Sequence, residues 1–171
     1  MKNILCIIAA AALMCGCNQQ RQVFESHAPV SGAFGWYFGD KFPAQLNVLP
    51  DDDGSFYYTY ETNGLFQRIT VNVNEQREIC MVRGFANTSA LGPFDMDTLV
   101  ETLSKKYGLT DKSDGPPARS WGFGKDGATV HLTIMEGKVT ILYRFDKLLD
   151  QVQQKHDEQK NQEFRKSING V

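Results

Sequence analysis

Asn63-Gly64 stands between two runs rich in strand formers, 56–62 and 65–74, and few dipeptides commit a chain to antiparallel pairing more strongly. The first run contains Phe56, Tyr57, Tyr58, Thr59 and Tyr60. In the second, Ile69, Val71 and Val73 alternate with Thr70, Asn72 and Asn74. A period of two predicts that one face packs and the other meets water. Residues 78–85 read as a third strand. Strands resume at 119–123, 128–135 and 138–145, joined by turns at Lys125-Asp126-Gly127 and Glu136-Gly137, with His131 on the wet face. The prolines of 111–117 mark a loop, and 49–55 is a turn by composition.

Between the two groups of strands the period changes. Met96, Leu99, Val100, Leu103 and Tyr107 recur at helical spacing over 95–107. Asp95 is placed to cap the start, Phe94 and Leu99 to staple it, and Lys105 and Lys106 suit the negative end before Gly108. A second helical stripe begins at Phe145, Leu149 and Val152 and then lapses. Residues 153–171 read as a polar helix or tail whose few anchors are Phe164 and Ile168. The expected fold is α+β: an antiparallel sheet of about five to seven strands with a helix on one face. Strands followed by a helix occur twice, in 56–107 and 119–155, the arrangement a duplicated unit would leave.

Ahead of the strands, 32–40 separates four aromatics with glycines, and alternation there suggests a first strand packed into the core. Earlier still, Met1-Lys2-Asn3 carries one positive charge, and 4–14 carries none. As a helix that run reaches only about 16 Å, against roughly 30 Å of bilayer hydrocarbon, so it is suited to targeting and not to spanning.

The run ends in Leu13-Met14-Cys15-Gly16-Cys17, which resembles the processing site of bacterial lipoproteins. Gly16 is the small residue before the modified cysteine, while Met14 and Cys15 depart from the usual leucine and alanine or serine. The resemblance covers only about the first seventeen residues. It implies that 1–16 is a signal peptide and that Cys17 is the lipidation site, carrying diacylglycerol through a thioether and a further acyl group on its amino terminus. Two or three acyl chains hold a protein on a membrane permanently. Asn18, where an aspartate would retain the protein at the inner membrane, implies the periplasmic face of the outer membrane in a bacterium with two membranes. The organisation expected is a signal peptide at 1–16, a lipidated tether at 17–32, one α+β domain at 33–152, and the polar segment 153–171.

Composition limits what such a domain binds. Loss of Lys2 from 18 basic side chains leaves 17 against 20 acidic ones, which excludes the basic excess of a nucleic-acid partner. Cys6 and Cys15 leave with the signal and Cys17 is lipidated, so Cys80 has no partner for a disulfide; its apolar neighbours place it in a buried strand.

No catalytic, metal or cofactor site is expected. Asp51, Asp53 and Ser55 alternate like the first ligands of a calcium loop, yet Gly54 comes too early and Thr62 holds the position that needs a bidentate carboxylate. Gly122-Phe123-Gly124-Lys125-Asp126-Gly127 satisfies the dinucleotide glycine pattern, but a strand follows where that chemistry requires a helix. His27, His131 and His156 fall in three unrelated segments. These residues point to a membrane-anchored, non-catalytic binding or accessory protein of the cell envelope, with another envelope protein as partner. A periplasmic inhibitor of a hydrolase or toxin, inserting 51–55 or 111–117, and an enzyme of unrecognised type are the alternatives.

Overall fold

Alternation is cleanest in 128–145, and it produces two strands whose limits match the pattern: β9 (Ala128–Met135) and β10 (Lys138–Phe145), paired from Phe145 opposite Ala128 to Lys138 opposite Met135. The computed structural model describes residues 27–90, 93–115, 118–125 and 127–169. Within them, β3 (Leu49–Pro50), β4 (Phe56–Glu61), β5 (Arg68–Val73), β6 (Ile79–Asn87), β7 (Leu109–Ser113) and β8 (Ala118–Phe123) join β9 and β10 in one antiparallel sheet of order β3-β4-β5-β6-β10-β9-β8-β7. The architecture is α+β as expected. The sheet has eight strands where five to seven were expected, and β1 (Gly32–Ala33) and β2 (Trp36–Tyr37) form a second, two-stranded sheet.

The extra strands are the ones that bury least. β7 lies in the segment read as a loop; all five of its residues are exposed, so no apolar period marks it, and Asp111 and Lys112 charge an open edge. At the opposite edge β3 is two residues long and takes Leu49 and Pro50 from the segment read as a turn. The aromatic stretch also departs from a single strand. Phe34 (φ 54°) and Gly35 (φ 82°) turn it back on itself between β1 and β2. Asn63-Gly64 does close the β4–β5 hairpin, but within a six-residue loop, since Glu61 pairs with Arg68 and the Thr62 amide donates to the Gln67 carbonyl.

Ile69, Val71, Val82, Ile141, Val130 and Leu132 all project from one face of the sheet and are at most 1% exposed. This core face is covered over its β7–β10 half by α1 (Pro93–Tyr107) through Leu103 and Tyr107, and over its other half by 28–48, which contributes Val30, Trp36, Phe38 and Phe42. Gly84 in β6 makes this cover fit: a Cβ there would lie 2.9 Å from the Phe34 ring and 3.0 Å from both Phe66 and Ile141. α1 starts at Pro93, two residues before the expected cap, and proline suits a first helical position. The side chains of Phe94 and Asp95 lie outside the described residues, as do Pro117 and Asp126.

The opposite, outer face carries Thr59, Thr70, Asn72, Met81, Arg83, Phe85, Leu142 and Arg144. α2 (Asp146–Asn169) crosses it over β6, β9 and β10, with Leu149 and Val152 bordering the crevice above Met81 and Leu142. The segment beyond Val152 is therefore helical to Asn169, and Lys155 and Gln159 reach Glu75 in the β5–β6 turn. From 160 to 168 every residue is exposed, Phe164 and Ile168 included. Four strands and a helix thus occur twice in the element order, with the two helices on opposite faces of the sheet.

Candidate functional site: the uncovered half of the outer face

β5 was expected to turn Thr70, Asn72 and Asn74 to water. All three are buried, at 7%, 0% and 4% exposure. Each has found a partner, as a polar group that has left water must: Thr70 the Thr59 hydroxyl, Asn74 the Glu78 carboxylate and amide, and Asn72 the 51–55 turn, which folds back over the outer face. Asn72 Nδ2 donates to Asp51 Oδ2 and to Ser55 Oγ, both at 3.0 Å, and its Oδ1 accepts from Arg83 Nη2 at 2.9 Å. Arg83 Nη2 also donates to Asp51 Oδ2 at 3.1 Å, an ion pair about 30% exposed on each side. The turn is closed by the Asp51 amide donating to the Ser55 carbonyl and the Ser55 amide to Asp53 Oδ1. Asp51 and Ser55, which imitate the start of a calcium loop, are thus committed to the protein's own sheet.

This network forms one end of a shallow cleft of about 260 Å³, floored by Thr70 and Phe85 and bordered by Tyr57, Thr59, Arg68 and Arg83. Arg68 lies with its guanidinium carbon 4.5 Å from the centroid of the Phe85 ring, a cation–π arrangement that holds a long side chain in place. Thr59 and Thr70, opposite each other in the β4–β5 register, share a hydrogen bond of 2.8 Å between their hydroxyls. Arg68 and Phe85 also border a second, wider hollow of about 560 Å³ that runs on to Lys138 and Thr140 of β10. The two hollows share the Arg68–Phe85 pair as a ridge. Hydroxyls, guanidinium groups and one ring are groups that hold a ligand; no imidazole or thiol lines either hollow among the described residues.

The residues singled out by their chemistry are not brought together. His27 is at the C-terminal end of α1, its ring 3.3 Å from the Lys105 carbonyl, and His131 is on β9 beside the Thr129 hydroxyl. His156 is on α2 with Nε2 buried and unpartnered beside Gly54, in a cavity of about 40 Å³. Cys80 is buried, and desolvation pushes its thiol up to about 12, a group unsuited to nucleophilic work. The glycine-rich 122–127 segment links β8 to β9 as a hairpin. Cys17, the expected lipidation site, lies outside the described residues. What sequence reading missed is the cleft itself: Arg68 and Arg83 are single charges on separate strands, and only the β5–β6 register sets them on one surface.

No family model, curated protein or solved structure matches the chain.

Proposed function

We propose that this chain is a periplasmic lipoprotein, anchored through lipid on Cys17 to the outer membrane, whose uncovered outer sheet face docks another component of the envelope without catalysing a reaction. The observation that carries the reading is the division of that face. α2 covers the part over β9, β10 and the Met81 end of β6, while the part over β4, β5 and the Arg83–Phe85 end of β6 stays open and is held rigid at one end by the Asn72 network. A sheet face with preset polar groups and no cover of its own is a surface fit for recognition.

The tether's point of entry favours the same arrangement. The Ala28 amide donates to the Lys106 carbonyl at 2.8 Å, which roots the amino-terminal segment at the end of α1, on the side of the sheet away from the cleft. Residues 17–26, fully extended, span at most about 35 Å. Rooted there, the tether leaves the cleft unobstructed.

Two measurements test the reading. Fractionation and intact mass of wild type against Cys17→Ser should show loss of lipid mass and release from the membrane; a variant that stays membrane-bound at unchanged mass removes the anchor. A photo-crosslinking residue at Thr140, on the open face, should capture a discrete envelope component in intact cells, whereas one at Tyr37, exposed on the other side of the sheet, should not. Equal capture from both positions, or none from Thr140, overturns the docking face.

A further inference from the structure

We infer that the cleft between Arg68 and Arg83 is a carboxylate-binding site, an assignment that rests on the open outer face being the binding surface. Arg83 is held rigid: Nη2 is engaged by Asp51 and by the fully buried Asn72, so the plane of the guanidinium is set before any ligand arrives. Its Nη1 makes no hydrogen bond among the described residues. Arg68 is exposed and stacked on Phe85, and among the described residues it forms no ion pair, even with its register partner Glu61. Thr70 is opposite Arg83 and two residues from Arg68 on the same face of β5, which makes the two arginines diagonal neighbours across β5 and β6. The planar fork of Arg68 matches the two-oxygen geometry of a carboxylate, and Arg83, whose Nε is buried and whose Nη2 is engaged, adds a single donor through Nη1.

Charge selects the monoanion. Two arginines against the Asp51 carboxylate leave one positive charge in excess within the cleft, enough to balance one carboxylate. A phosphate dianion would exceed that excess and approach Asp51 Oδ2 with like charge. The hydroxyls suit the same ligand. Thr59 and Thr70 spend one proton on each other, which leaves the second free to donate, and Tyr57 adds another donor at the rim. The ring of Phe85, already carrying Arg68, offers an apolar floor for a small body attached to the carboxylate.

In an envelope this carboxylate can belong to an acidic sugar or to a peptide terminus, and the experiment separates the two. The full chain in detergent micelles is titrated with N-acetylmuramate, N-acetyl-alanyl-alanine, neutral N-acetylglucosamine and inorganic phosphate. Binding is followed by the amide signals of Thr70, Arg83 and Phe85 and by the side-chain Nε–H signals of the arginines. Both carboxylates should move these signals, the tighter one naming the source, and the neutral sugar should not. Arg68→Ala should weaken binding at least about tenfold with an unchanged melting temperature, and Arg68→Lys should fall between, since it keeps the charge and loses the fork. Silence toward both carboxylates, tighter binding of phosphate, or undiminished binding by Arg68→Ala overturns the assignment. If Thr140 still captures its component while the carboxylates stay silent, the docking face stands and this site falls. If the carboxylates bind and Thr140 captures nothing, the docking face falls alone.

Discussion

Asp51 reaches across 21 positions of chain to accept, at 3.0 Å, a hydrogen bond from the amide of Asn72, a residue with no exposed surface. That contact joins the 51–55 turn to the third strand from the edge of the sheet. It converts a polar position on a strand into the support of a surface.

Asn72→Ala should therefore be costly out of proportion to its size. It leaves Arg83, Asp51 and Ser55 each short of a partner in a place water reaches poorly, and the loss expected is about 2–4 kcal/mol by chemical denaturation. Ser55→Ala removes one acceptor only and should cost about 1 kcal/mol. Equal effects would mean that the network is not organised around Asn72.

Gly54 is expected to resist substitution for two separable reasons. Its φ is +83°, and a Cβ would stand 2.8 Å from the Cβ and Nδ1 of His156 on α2. Gly54→Ala should destabilise by about 1–3 kcal/mol, and combining it with His156→Ala should recover the part of the clash made by the ring, while the contact with the His156 Cβ and the backbone part persist. Strict additivity in that double-mutant cycle would show that the helix does not press on the turn.

Truncation divides α2 into a working and an idle part. Ending the chain after Gln159 removes, among the described side chains, only exposed ones and should change stability by no more than about 0.5 kcal/mol. Ending it after Val152 also removes the Lys155–Glu75 ion pair and the cover His156 provides over Gly54, and should cost about 1–3 kcal/mol without unfolding the domain. The ion pair alone is half-exposed and contributes little. Thermal melts of the two truncations settle the boundary.

Stability should fall at alkaline pH through Cys80. Burial raises its thiol from 9.0 to about 12 in the fold, so the unfolded chain ionises first. The stability from this group is intact below pH 9 and is lost as pH rises toward 12. Cys80→Ala should flatten that limb of a stability–pH curve. A residual slope should remain from Tyr143, whose phenol is raised from 10.0 chiefly by burial and then by Tyr107 beside it. An unchanged limb in Cys80→Ala would mean that the thiol is wet.

The strands that bury an apolar face were legible in the chain because burial leaves a period. β9 and β10 begin and end where the alternation does, and Glu136 (φ 51°) with Gly137 (φ 73°) turns the chain between them as that dipeptide suggests. β7 was not legible: a charged edge strand is specified by its neighbour β8 and by nothing in its own composition. The site was hidden for a related reason. A period of two tells which residues share a face, and Thr70, Asn72 and Arg83 do share one, but what covers that face comes from residues 51–55 and from α2, distant in sequence.

The seam at the middle of the sheet has a further consequence. Every other ladder in the large sheet joins strands that follow one another in the chain, whereas β6 meets β10 with Arg144 opposite Met81. Each four-strand meander can assemble from local contacts, yet by itself it would end in a long unpaired strand. Closure of that seam is thus the step with the largest loop entropy, and it is what makes the two meanders melt as one cooperative unit.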